Sequence, residues 1–187
     1  MRHYLLPLIL LLSMILISVS DGNGTILPNL STHDLVQRAD VIIKGKVLDR
    51  ECYWANNMRH IMTKIRIQVL EVLKGSPPDE IFLIQAGGRI GTYDMSVTGN
   101  AKLENGEEVL LFLRVDEKFP KVHYLVGMVL GKYSVIEKDG KTVVTRNVGM
   151  IPILGTNGQV QPYDPSDDRL YEDMKTEILN DIKALKK

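Results

Sequence analysis

The sequence predicts a mainly β domain, with a short helix before its strands and an amphipathic helix after them. Three observations carry that expectation. Apolar and polar residues alternate over long stretches such as HIMTKIRIQVLEVLKG, and Gly, Pro and Asn gather between such stretches. Only the C-terminal stretch replaces alternation with an apolar stripe at a spacing of three and four.

Taken in order, MRHYLLPLILLLSMILISVSDG opens with basic Arg2, runs apolar from Leu5 to Val19 and sets small Ser18 and Ser20 before Asp21. That is the pattern of a secretory signal peptide, with cleavage expected near Ser20. The apolar stretch is about fifteen residues against the ~20 a spanning helix needs, so stable membrane insertion after cleavage is not expected. The expected location is secreted or periplasmic. Residues 21–30, DGNGTILPNL, read as a flexible leader. Ser31, followed by Asp34, resembles a capping box that starts a short helix with Leu35 and Val36 apolar.

VIIKGKVL, from Val41 to Leu48, starts apolar and then alternates, with Gly45 marking a bulge or strong coil. After a turn at Ala55-Asn56-Asn57, Ile61, Thr63, Ile65, Ile67 and Val69 share one parity, and the apolar set switches parity near Leu70. A bulge there would account for the switch. KGSPPDE is a turn, IFLIQAGG a short buried strand, and residues 89–106 a loop with a short strand at Tyr93–Val97. Val109–Val115 is apolar enough to sit centrally; HYLVGMVLGKYSVIE gives strands broken at Gly127 and Gly131; Asp139-Gly140 turns the chain into KTVVTRN. Residues 148–187 form an irregular connection and then a helix capped by Ser166, with Asp167 and Asp168 in its first turn and Leu170, Met174, Ile178, Ile182 and Leu185 on its packing stripe.

Composition narrows the function classes. Lys plus Arg number 23 and Asp plus Glu 23, so no broad attraction to polyanions exists and nucleic acid is not an expected partner. Cys52 is the single cysteine and cannot form an intrachain disulfide. His3, His33, His60 and His123 are scattered with no ligand spacing between them, so no metal or cofactor is expected. AGGRIG lacks the phosphate-loop pattern, no serine sits in a G-x-S-x-G elbow, and Glu104, Glu107 and Glu108 read as exposed acids beside an Asn105-Gly106 turn. The informative side chains are Tyr53 and Trp54, placed in the connection Glu51–Asn57, with Arg89 and Tyr93 in the stretch 89–99. Aromatics there serve either as partner anchors or as a cap on the open end of a barrel.

LVQRADVIIKGKVLD, TKIRIQVLEVLKG, IFLIQAGG, GEEVLLFL and VGMVLGKYSV together resemble the netrin-like domain, the OB-type barrel of tissue inhibitors of metalloproteinases. They are most similar to uncharacterised exported bacterial proteins with the pattern ADxIxxGxV, VLKG and GEExLLFL. The resemblance spans Leu35 to Val135 and implies a five-stranded, closed or nearly closed OB-fold-like β-barrel with flanking helices. Together with the elements read above, this sets the expected barrel domain at residues 31–147, with 148–187 as the irregular connection and a helix packed on it. The inhibitors chelate zinc through a disulfide-tethered N-terminal cysteine. Here the expected mature end is Asp21 and no disulfide exists, so that mechanism does not transfer.

The expected function is an exported, non-enzymatic binding module that contacts a protein, with a protease or another envelope protein as the candidate. Tyr53, Trp54, Arg89 and Tyr93 are its expected contact residues. The alternatives are a hydrolytic enzyme assembled from His60, Glu107 and Cys52, and a structural component of a cell-envelope assembly.

Overall fold

The structure, a computed structural model, describes residues 26–55, 58–149, 151–155, 158–163 and 168–185. The expected signal peptide, most of the expected leader and the expected Ser166 cap lie outside the described residues. The elements in chain order are β1 (Leu27–Pro28), α1 (Thr32–Arg38), β2 (Val41–Ala55), β3 (His60–Lys74), β4 (Glu80–Ala86), β5 (Gly88–Ile90), β6 (Tyr93–Met95), β7 (Glu108–Val115), β8 (Val122–Leu125), a single 3-10 turn (Met128–Gly131), β9 (Lys132–Lys138), β10 (Lys141–Thr145), β11 (Ile153–Leu154), β12 (Val160–Gln161), β13 (Arg169–Leu170) and α2 (Tyr171–Leu185).

The alternation read in the sequence becomes one large sheet in the order β13-β10-β9-β7-β2-β3-β4-β8. A further pairing of β7 with β8 closes part of that sheet on itself. Around the resulting ring, β7–β2, β2–β3, β3–β4 and β8–β7 are antiparallel, while β4–β8 is parallel. The inward residues Ile43, Val47, Ile65, Ile67, Ile81, Leu83, Leu111 and Leu113 are all buried and belong to one apolar cluster.

Gly45 answers to its expected role. A Cβ there would stand 2.7 Å from Ile67 Cγ2 and 2.9 Å from the Gln68 carbonyl, and the β2–β3 register shifts beside it. The shift skips Leu70, so the expected bulge is present, but its expected consequence is not. A second shift skips Leu73, and both Leu70 and Val72 remain exposed instead of turning inward. Asp139 and Gly140 both take positive φ, 52° and 71°, and join β9 to β10 in a two-residue hairpin turn.

Three expectations are corrected. The described part of the expected flexible leader, residues 26–30, is built into the fold: β1 pairs in parallel with β11, and Leu27 and Leu30 are buried, because two apolar side chains there find the core. Thus α1 follows a strand; its Ser31 cap makes the full reciprocal box with Asp34, whose carboxyl is held below its ordinary range by those hydrogen bonds. Finally, α2 starts at Tyr171, later than expected, since Arg169 and Leu170 first extend the sheet by pairing with Val144 and Val143. Tyr171, Met174 and Ile178 then face the core, while Leu170 and Leu185 are exposed.

His123 lies on the inward face of β8, fully buried. Its Nδ1 sits 3.1 Å from the Lys121 carbonyl, which can only accept, so Nδ1 carries the proton and Nε2 is left without a partner among the described residues. Burial holds the imidazole below its ordinary value, against smaller opposing pulls from the Lys121 carbonyl and Asp40. Below the unfolded-state value of about 6.5 the unfolded chain takes up a proton that the native site resists. Stability therefore falls as pH drops below that point, by up to about 1.4 kcal/mol per pH unit until the native imidazole itself titrates. The half-buried carboxylate Glu107 has a lowered pKa and acts only in a more acidic window. Urea melts from pH 7 to 5 should show this slope, and His123→Leu should flatten it.

Candidate functional site

Strand β2 outgrows the ring. Its partnership with β7 covers Val41–Lys46, whereas its pairing with β3 continues to Ala55 opposite His60. Tyr53 and Trp54 therefore lie in a strand and not in a loop, which corrects their expected placement. Asp49-Arg50-Glu51 looks like loop composition, but a two-stranded extension with a solvated face accommodates such residues. Asn56 and Asn57 lie outside the described residues.

Alternation sends the two aromatics to opposite faces. Trp54 pairs with Ile61, Cys52 with Thr63 and Arg50 with Ile65, all on the side whose β3 residues are buried. Tyr53, Glu51 and Asp49 share the other side with Met62, Lys64 and Arg66, where Asp49–Arg66 and Glu51–Lys64 form ion pairs at 2.5 and 3.1 Å. Such exposed pairs contribute roughly 0–1 kcal/mol each.

The β5–β6 hairpin covers the first side. Its entry is held by backbone and hydroxyl: the Gly87 N–H donates to the Ile61 carbonyl at 2.7 Å, and Thr63 Oγ1 donates to the Gly87 carbonyl at 2.6 Å. Gly88 takes φ +138°, and a Cβ on it would lie 2.6 Å from Thr63 Oγ1 and 2.7 Å from Cys52 Sγ. The AGG sequence is thus a close-approach device, not an anion cradle. The approach brings Tyr93 edge-on to Trp54, with ring centroids 5.4 Å apart and planes at 77°. Tyr93 nevertheless keeps 64% of its surface exposed. Arg89 faces Asp94 across the hairpin at 3.6 Å, and both are solvent-exposed.

Of the expected contact residues, then, Trp54 and Tyr93 touch, Arg89 stands on the same hairpin as Tyr93, and Tyr53 is on the far side of β2, 37% exposed. Met58, at the tip between β2 and β3, is 73% exposed. The result is a projecting aromatic lobe with two distinct faces.

The residues of the hydrolase alternative are not brought together. Cys52 Sγ lies 3.5 Å from Thr63 Oγ1 beneath Gly88, while His60 shares the opposite face with Met62. Glu107 is beside Val47 and is not the exposed acid expected: Lys132 Nζ and Ser134 Oγ both donate to it, at 2.5 and 2.6 Å. Burial raises its carboxyl, but those hydrogen bonds and that charge outweigh burial and leave it below the ordinary range. Glu107 is an anchor of β7 on β9. His123 was not singled out as a functional residue from sequence, and Glu107 was not grouped with Lys132 and Ser134. The signal was present for one of them, since His123 shares the parity of Leu125 in an alternating segment; Lys132 and Glu107 are separated by two strands, β7 and β8, and the 3-10 turn.

Among the described residues no group of three or more His, Cys, Asp and Glu side chains converges as a metal site, and no helix is long and apolar enough to cross a membrane. No protein-family model matches the sequence, and no curated protein is significantly similar to it.

Trp54 is the single tryptophan, which makes the lobe directly observable. Tyr93→Ala should shift its emission to the red with little change in far-ultraviolet circular dichroism, and cost about 0.5–1.5 kcal/mol in urea unfolding. Gly88→Ala should produce the same spectral shift by lifting the hairpin off Cys52 and Thr63, while an unchanged spectrum in both would show that the two rings do not meet in solution.

Proposed function

We propose that the protein is an exported, non-enzymatic binding module on an OB-type, netrin-like barrel, and that it engages a protein partner through the lobe formed by the β2–β3 tip and the β5–β6 hairpin. The ring order β2-β3-β4-β8-β7, with its one parallel junction between β4 and β8, supports the barrel reading. Export rests on the basic, apolar and small-residue order of residues 1–20, and the site of action is secreted or periplasmic. A protease or another envelope protein is the candidate partner.

The observation that carries the binding reading is the combination of exposed Tyr93 and Met58 with rigid support beneath them. Aromatic rings on a braced hairpin offer contact area at low entropic cost. A side chain that only filled the core would not stand 64% exposed, as Tyr93 does.

Purification of the tagged protein from its native envelope or medium, with identification of co-purifying proteins, supplies the partner. Replacing Arg89 and Tyr93 together by Ala should then weaken its capture at least ten-fold, equivalent to about 1.4 kcal/mol, with the protein still folded and the urea midpoint lowered by no more than the loss of the Trp54–Tyr93 contact accounts for. Tyr53→Ala and Trp54→Ala, measured separately, report which face of β2 the partner uses. Capture unchanged by all of these variants would overturn the assignment of the lobe. Mass determination of the exported chain should place its first residue at Asp21.

A further inference from the structure

Beyond Val47 one edge of β2 has no partner among the described residues. The Val47 N–H donates to the Glu107 carbonyl at 2.9 Å, and the Gly106 N–H donates to the Val47 carbonyl at 2.8 Å. From there to Ala55 no described strand or backbone group bonds the edge away from β3. The extra residue at Leu48, between the pairs Val47↔Ile67 and Asp49↔Arg66, reverses the phase of the strand. The N–H and C=O groups of Arg50, Cys52 and Trp54 therefore point to the open side. Loop residues Glu104 and Asn105 line a groove there with Arg50 and Cys52, and Arg50 reaches Glu104 at 3.2 Å.

We propose that this edge is the interface of a homodimer, in which Asp49–Ala55 pairs antiparallel with the same segment of a second copy about a two-fold axis at Cys52. An antiparallel pair related by a two-fold must set one residue opposite itself, so the choices can be examined in turn. Centring on Arg50 opposes the two arginines and sets Asp49 against Glu51; centring on Glu51 opposes the two glutamates. Directly opposed like charges destabilise a ladder. Centring on Tyr53 or Trp54 avoids those clashes but gives up the Asp49 end of the ladder. Centring on Cys52 uses the whole span and opposes no like charges: Glu51 meets Tyr53 of the second copy, Asp49 meets Ala55, and Arg50 meets Trp54, a cation against an aromatic face.

One strand-to-strand ladder lies at or below the ~1,200 Å² lower end of stable interfaces, so the dimer exchanges with monomer in a concentration-dependent way. The ladder shares Tyr53 and Trp54 with the partner-binding lobe, but the hairpin residues Arg89 and Tyr93 have no part in it, so the two readings are tested by different residues.

The register is tested by cross-linking. In a Cys52→Ser background, Glu51→Cys and Tyr53→Cys proteins are prepared separately and then mixed. Diamide serves as oxidant, taking up the two electrons and two protons released as each pair of thiols becomes a disulfide. The register puts residues 51 and 53 opposite each other in a non-hydrogen-bonded pair, with Cα atoms about 4.5 Å apart, inside disulfide reach. The mixture should form covalent heterodimer much faster than either protein alone forms homodimer. Self-linking of either protein at the same rate as the mixture would overturn the register. Sedimentation velocity of the unmodified protein should show a dimer fraction that grows with concentration; a monomer at the highest soluble concentration would overturn the interface itself. Neither result depends on capture of the partner by the β5–β6 hairpin.

Discussion

Strand β7 has two claimants for one of its edges, and the architecture depends on how that conflict is resolved. One edge is occupied by β2. On the other, Val109–Leu111 pair with β9 and Leu113–Val115 pair with β8, so the strand changes partner at Phe112. The fork works because the chain between the two claimants doubles back within a few residues. The Val126 N–H donates to the Phe112 carbonyl at 2.9 Å, a 3-10 turn follows, and Gly131 passes so close that a Cβ would lie 2.3 Å from the Val126 carbonyl. One branch closes the ring through β8; the other carries β9, β10 and finally β13 and α2 outside it. Any bulk at Gly131 would force a choice between the two.

No disulfide supports this arrangement, and the outer elements are clamped on by polar contacts instead. Lys74 Nζ donates to the carbonyls of Val36 and Ala39 at 2.8 and 2.5 Å, closing the C-terminal end of α1 against the end of β3. The Tyr171 hydroxyl donates to Glu71 at 2.6 Å and Lys175 reaches the same carboxylate at 2.5 Å, which ties the start of α2 to β3. Burial and the neighbouring Glu71 charge push the Tyr171 phenol up, so it stays a donor. In the half-buried Glu107–Lys132 pair, each charge compensates a desolvation that would otherwise cost several kcal/mol. These contacts specify position more than they add net stability; the apolar cluster under them supplies that.

Most of the strand pattern was legible because alternation reports burial directly. Ile61, Thr63, Ile65 and Ile67 share a parity and all turn inward, and Asp139-Gly140 has the chemistry its turn requires. What was not legible depended on pairing between distant segments. The extension of β2 through Asp49–Ala55 has charged and aromatic residues because one face and one edge are open, and such residues look like a loop until β3 is laid beside them. The hydrogen bonds of Arg169 and Leu170 to β10 cannot be read from acids that suit a helix start. For the lobe, the residue types were legible but their grouping was not: contact between Trp54 and Tyr93 depends on Gly88 lying against Cys52 and Thr63, a meeting of segments with no shared periodicity.

The outgrown half of the β2–β3 hairpin is costly by the standards of the ring. Each ordered residue gives up about 1–2 kcal/mol of backbone entropy, and the β2 residues from Leu48 to Ala55 include none that is buried. They are kept extended by pairing with β3 on one side and by the β5–β6 cover on one face. An order that the core does not need is best explained by what it presents: a charged and aromatic strand with backbone groups along one side that no described residue pairs. Asp49, Arg50 and Glu51 also limit how such an edge can be used, because an arbitrary strand sliding along it meets charges of alternating sign, and most registers are penalised. The same residues that made the segment look like a loop are the ones that make its edge selective.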